Sequence, residues 1–279
     1  MQLSGPTRWL LRIGTALTLA FLYVPILIIG LYAFNPRRSQ TWPIKGLTLE
    51  WFDKAFHNPG VRDALLMSLK AATGATAIAL LLGTLAAFAV ARYRFFGRET
   101  ISFLVILPLA LPGIVTGMAL NATFREALAP FGVELGLFTI IVGHATFCIV
   151  VIYNNVVARL RRTARSYEEA SADLGADTWQ TFRFITFPLL RSAVIAGALL
   201  AFALSFDEVI VTTFTAGSEE TLPIWILSNL SRPRQLPIVN VVGICVVLLS
   251  IIPVYIAQRL TADPAGAART RPVAELTAP

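Results

Sequence analysis

Apolar residues arrive in long blocks along this chain, and the charges that separate them set the blocks' lengths. Counting histidine as neutral, uncharged runs cover 13–36, 71–91, 100–124, 135–158 and 235–258. Each is long enough for the ~20 helical residues that cross a ~30 Å hydrocarbon layer. A sixth apolar stretch, 189–215, is broken by Arg191 and by the adjacent pair Asp207 and Glu208. The pattern therefore predicts six membrane-spanning helices, roughly Trp9–Phe34, Ala64–Val90, Ile101–Asn121, Leu137–Val157, Leu189–Ala216 and Ile238–Ala257. The first run is longer than the apolar core of a signal peptide, and no small-x-small cleavage pattern follows it.

Between the spans, three stretches carry local signals. In "TWPIKGLTLEWFDKAFHNPG", Thr48 is placed to cap a short helix, and Leu49, Phe52 and Phe56 share one face. That helix would lie at the outer interface, as an anchor for the loop or as a contact for an external partner. In "LPLALPGIVTGMAL", Pro108 and Pro112 remove backbone donors, with Gly113 and Gly117 nearby, so the third span should bend or break. Such a break lines a polar cavity or is a packing kink. The polar segment "SYEEASADLGADTWQTFRFITFP", Ser166–Pro188, predicts two short helices. Ser166 with Glu169 gives a capping-box spacing for a helix over Tyr167–Leu174. Gly175 falls where a helix ends in a left-handed residue, and Asp177 with Gln180 caps the second helix. Ala170, Leu174, Trp179, Phe182 and Phe184 leave an apolar surface outside the spans. It packs on the chain's own helix ends or enters a partner's groove.

Composition agrees with the pattern: 56% of the 279 residues are hydrophobic and only 14% charged, which suits a polytopic membrane protein. With the N-terminus inside, the inner segments hold fourteen Lys and Arg residues and the outer loops eight, with Lys70 inside a span near its outer end. The bias puts both termini in the cytoplasm. The net charge of +7 is then a matter of topology, and no nucleic-acid partner is needed. Cys148 and Cys245 both lie in spans, where they are expected to be small core residues. His144 has no second histidine near it and is expected to be a hydrogen-bonded interior residue; no metal site or cofactor is predicted. The residues after Leu260, rich in Ala, Pro and Thr, predict a disordered tail over 261–279, after a membrane domain of 1–260 whose cytoplasmic loop spans 159–188.

The polar segment also resembles a known family. The order E-A-A, three residues, G, nine residues, I-x-L-P marks the coupling loop of the membrane subunit of ABC-type importers. Here Glu169, Ala170 and Ser171 precede Gly175, then Ile185 and Pro188; Ser171 replaces the usual second Ala, and Phe187 the usual Leu. The resemblance, over about residues 9–260, implies the all-α type I importer permease fold, with the loop between the fourth and fifth of six spans. It implies a bacterial inner-membrane location. It also implies partners: a second homologous permease, two copies of an ATP-binding subunit and an external solute-binding protein. Glu169, Ala170, Ser171, Leu174, Gly175, Trp179, Ile185 and Pro188 would couple to the ATPase. The chain has no G-x-x-x-x-G-K-[ST] loop and no catalytic group, so it is not expected to be the ATPase or any enzyme.

The acidic pair is the second candidate site. An Asp at a span's centre costs roughly 2.5–3.5 kcal/mol and each Leu-class residue returns roughly 0.3–0.6. Counting ~1.5 Å per residue from Pro188 places Asp207 ~28 Å along the helix, toward the outer side. Consecutive residues point about 100° apart, so one carboxylate can face the pathway while the other pairs with a neighbour. "LSFDEVIVTTFTAG" resembles the matching stretch of polyamine (putrescine/spermidine) importer permeases, which implies that Ser205, Asp207 and Glu208 contact a cationic substrate. Some members carry an acidic residue where this chain has Gly113. Importers of opines or amino-acid-derived amines remain alternatives, as does a stand-alone channel or scaffold.

Overall fold

The computed structural model describes residues 4–261. The tail expected at 261–279 lies outside them, apart from Thr261, the last residue of a helix. All regular elements among the described residues are helical. In chain order they are α1 Gly5–Ala33, α2 Glu50–Phe56, α3 Pro59–Arg92, α4 Arg98–Ala110, α5 Gly113–Thr123, α6 Leu137–Arg162, α7 Ser166–Asp173, α8 Thr178–Thr181, α9 Phe187–Phe206, α10 Ile210–Thr215, α11 Leu222–Leu230 and α12 Leu236–Thr261. Five helices are long and apolar enough to cross a bilayer, and a bent pair brings the number to six. The expected spans are therefore present, with two changes.

The first concerns the third span. It breaks after Ala110 and resumes at Gly113, and its two parts are bent by 105°. Pro112 is the residue before the second part, in extended conformation with ψ 129°, so the helix cannot run through it. The second change concerns the fifth span, which was expected to continue to Ala216. It ends at Phe206, and the short α10 follows after a three-residue turn, Asp207–Val209. At its other end this span starts earlier than expected. Thr178–Phe206 is one helix of 29 residues, so the second helix of the polar segment is not separate. A wide π turn over Phe182–Thr186 joins α8 to α9. It brings the Phe187 N–H to the Phe182 carbonyl, and the ring of Pro188, which has no N–H to give, is accommodated just beyond it.

The described chain divides into two compact units. The first takes residues up to Ala64 with Ile224–Leu249. Here the loop that follows α1 is built around Asn35, which is buried. Trp51 donates its Nε1–H to the Asn35 carbonyl at 2.8 Å, and Thr48 donates its N–H to the Phe34 carbonyl at 2.8 Å. The Thr48 hydroxyl accepts from the Glu50 N–H at 3.2 Å, close to the expected cap, although Leu49 holds the cap position. Trp51 and Ala55 are the buried residues of α2, while Leu49 and Phe56 of the expected apolar face are exposed. The loop's backbone turns the i, i+4 pair Trp51/Ala55 inward because the indole has a buried carbonyl to bond.

The second unit takes Leu65–Pro223 with the stretch from Ser250. Its centre is α6: 56% of that helix's apolar window is buried, against 33% for α3. Ala75, Ala79 and Ala87 of α3 and Ala201 of α9 join Phe147, Ile152, Tyr153, Val156 and Leu160 of α6 in one core. Small residues make this possible, because helices in lipid associate by close packing rather than by hydrophobic exclusion. A β-carbon on Gly83 would lie 2.9 Å from the Ile149 carbonyl oxygen.

Candidate functional site

The polar segment after α6 begins with a turn. The N–H groups of Tyr167, Glu168 and Glu169 already bond to the Ala164 and Arg165 carbonyls. Arg165 therefore caps α7, and the capping box expected at Ser166 does not form. The Glu169 carboxylate instead stands 3.6 Å from Arg165 in an exposed pair. The helix ends as expected: Gly175 has φ 85°, the Ala176 N–H bonds to the Ser171 carbonyl at 3.1 Å, and the Gly175 N–H to that of Ala172 at 2.9 Å. This two-bond closure needs a left-handed residue, which glycine supplies without strain. Asp177 then caps α8: it accepts from the Gln180 N–H at 2.8 Å, and Gln180 returns a bond to the Asp177 N–H at 3.0 Å.

The residues singled out in this segment share an outward surface. Ala170, Glu169, Gly175 and Pro188 are exposed, Leu174 is 90% exposed, and Trp179 is 64% exposed with its ring stacked 5.8 Å from Phe182. Ser171 and Ile185 are half-buried, and the Ser171 hydroxyl bonds to that of Thr181 at 3.1 Å, tying α7 to α8. Behind this surface, sequence reasoning missed one residue. Glu168 turns inward to Arg92 of α3 and Thr186, beside a cavity of about 300 Å³ between α7, α8 and the end of α3. Its neighbour in the motif, Glu169, drew attention away from it, and its partner lies 76 residues upstream.

The acidic pair sits at the turn between α9 and α10, where its two carboxylates have different roles. Glu208 is half-buried and accepts from the Val211 N–H at 3.0 Å, capping α10. Asp207 is exposed; its N–H bonds to the Ala203 carbonyl, and its carboxylate has no hydrogen-bond or ion-pair partner among the described residues. The expected pairing of one carboxylate with a neighbouring helix is absent among the described residues: Glu208 engages the backbone of α10 instead. Ser205 does not lie on the open side. It is buried and bonded to His144 Nδ1 at 2.8 Å. Across the turn, His144 Nε2 meets the Thr212 hydroxyl at 2.8 Å, and Thr212 donates its own proton to the Glu208 carbonyl at 2.7 Å. A hydroxyl has one proton to give. Thr212 therefore accepts from Nε2–H, and in the neutral imidazole Nδ1 accepts from Ser205 O–H. His144 is thus the expected hydrogen-bonded interior residue, and it staples the two sides of the break together.

The rest of α10 follows the same logic. A helix of six residues leaves its end carbonyls without partners of its own. Asn121 of α5 donates to the Phe214 carbonyl at 2.5 Å, and Thr139 of α6 to that of Thr215 at 2.7 Å. Irregular backbone at membrane depth persists where side chains satisfy it in this way. Gly117 lets Phe214 close in, since a β-carbon there would lie 2.6 Å from its ring. Gly113 packs against Ile210 at the start of α10.

Residues 79–263 match the family described as "Binding-protein-dependent transport system inner membrane component". The chain is 34% identical over 244 residues to the spermidine/putrescine transport system permease protein PotC of Haemophilus influenzae, covering 87% of this chain and 92% of that one. It is 35% identical over 214 residues to the putrescine transport system permease protein PotI of Escherichia coli K12, covering 75% of each. Among solved structures it is similar to a bacterial ABC transporter involved in import of the acidic polysaccharide alginate (TM-score 0.63, 18% identity, 93% of this chain and 98% of that one). It is also similar to an alginate transporter in complex with a periplasmic protein bound to an alginate pentasaccharide (TM-score 0.67, 16% identity, 92% and 95%). At such identities the likeness to these structures concerns the fold alone, which is that of a type I importer permease.

Proposed function

Since the chain belongs to the family of binding-protein-dependent transport system inner membrane components, and is a multi-pass permease subunit rather than an enzyme, we propose that it forms part of the pathway by which an ATP-driven importer carries putrescine or spermidine. Relatives at about one-third identity that are named for these amines support the substrate class. The observation that carries the reading in this chain is Asp207: an exposed carboxylate at a helix break in the outer part of a span, with its neighbour Glu208 already committed to the backbone. An ammonium group that sheds water needs such an anion. Ser205 contributes indirectly, by holding the turn through His144.

The exposed surface of α7 and α8 then docks in a cleft of an ATP-binding subunit. Glu169 and Leu174 face that subunit, Ala170 leaves room for close approach, and Gly175 sets the angle between the helices. Two copies of that subunit, a second homologous permease and an external solute-binding protein complete the assembly, and both termini lie in the cytoplasm. Nucleotide-driven movement of the docked segment opens the pathway only through contacts that differ between the two states.

The test is uptake of radiolabelled putrescine by cells lacking other polyamine importers. Asp207→Asn is expected to lower uptake about tenfold, the low end of what losing one charge-assisted contact costs, with an unchanged amount of the chain in the membrane. Unchanged uptake removes Asp207 from the substrate site. Gly113 favours a second reading, an amine with a single cationic group such as an opine or an amino-acid derivative, because one potential cation ligand is missing beside Ile210. Competition by such an amine that exceeds competition by putrescine and spermidine would select it.

A further inference from the structure

The Glu168 carboxylate gathers donors from two other elements through a single oxygen. Arg92, the last residue of α3, donates Nε–H to Oε1 at 3.1 Å and holds Nη2 at 3.1 Å from the same atom. Thr186, at the end of the π turn that leads into α9, donates its hydroxyl to Oε1 at 3.2 Å. Arg92 also donates Nη1–H to the Leu160 carbonyl of α6 at 3.4 Å. Three side chains, Glu168, Arg92 and Thr186, thus fasten α7 to three spans. The Arg92 and Glu168 side chains are 14% and 21% exposed, against 68% and 66% for the Arg165–Glu169 pair. Water screens the second pair but largely not the first.

Little else holds α7. None of its residues is buried, and among the described residues its other side-chain tie to a neighbouring element is the Ser171–Thr181 hydroxyl contact. Without the ion pair, a push on the exposed surface would swing α7 about Gly175 and be absorbed there. We infer that Arg92 and Glu168 are positioning residues for coupling: they make α7 move as one body with α3, α6 and α9, so that displacement of the docked surface reaches the spans. The inference builds on the importer reading and adds to it a pair that lies outside the E-A-A motif.

The experiment uses the whole transporter in nanodiscs and proteoliposomes. Spin labels are placed at Tyr167→Cys, at the end of α7 far from Gly175, and Phe96→Cys, both exposed, with Cys148→Ala and Cys245→Ser removing the native thiols. In Arg92→Ala and in Glu168→Ala the label–label distance distribution is expected to widen about twofold, and putrescine carried per ATP hydrolysed to fall about tenfold, within the range of ordinary coupling energies. The double variant Arg92→Glu/Glu168→Arg restores a narrow distribution. A purely structural role would change the amount assembled, not the transport-to-hydrolysis ratio. Unchanged widths or ratios in the single variants overturn the inference, as does an assembled charge swap that stays broad. If the single variants do not assemble, Thr186→Val decides: it removes one donor at constant shape, and a distribution as narrow as the parent's overturns the inference. A parent transporter that carries no putrescine sinks the polyamine reading alone, because the distance measurement still tests the pair.

Discussion

The helix Thr178–Phe206 is held by ionised groups at one end and by neutral ones at the other. Near Thr186 an arginine and a carboxylate meet while still partly exposed. Beyond Phe206 an imidazole, two hydroxyls and backbone carbonyls hold the chain together inside the bundle. The difference follows the surroundings. Ion pairs form where partial hydration limits the cost of removing charge from water, and neutral hydrogen bonds take over where that cost would be high. Asp207 is the exception at this second end, an exposed carboxylate with no partner among the described residues. It is there that a cationic substrate is proposed to bind.

Three substitutions can break this contrast, beginning with the largest expected effect. Gly175→Pro cannot adopt φ 85°, since the ring fixes φ near −65°. Uptake should vanish while the protein still reaches the membrane, measured as putrescine uptake beside the amount of chain in isolated membranes; retained uptake would show that the angle between α7 and α8 carries nothing. Next, His144→Ala leaves Ser205 and Thr212 without their shared partner. A loss of about 1–3 kcal/mol is expected for such buried groups, read as a lower unfolding temperature in detergent, and His144→Gln should lose less. A larger loss at the exposed Arg165–Glu169 pair than at His144 would reverse the proposed division between ends. Smallest is Asp177→Ala, which removes a cap worth about 1 kcal/mol. Because α8 is continuous with α9, hydrogen exchange should speed up over Thr178–Thr181 and leave Phe187–Phe206 unchanged.

Much of this arrangement was legible from residue order, and what was not has identifiable causes. Gaps between charges marked the spans, and Pro112 marked the break in the third. Gly175 and the Asp177/Gln180 box were readable because caps are decided by a few adjacent residues. The end of the fifth span was misplaced because Val209–Thr215 is as apolar as what precedes it; the break depends on Glu208, Asn121 and Thr139 reaching α10 from several directions. Ser166 was assigned a cap that a turn at Ala164 and Arg165 had already made unnecessary. The burial of Trp51 in α2 was not legible because its partner is the Asn35 backbone carbonyl, which no side-chain pattern reveals. The pairing of Glu168 with Arg92 and that of His144 with Thr212 join distant segments, and one chain read alone does not contain them.

The unbroken run from Thr178 to Phe206 has a last consequence. Its 29 residues form a rod about 43 Å long, so a tilt of about 5° at its foot carries its head about 4 Å. Foot and head cannot keep separate time. On the proposed reading, an amine held at the Asp207 turn and an ATP-binding subunit docked at the foot would alter each other's affinity by one and the same factor.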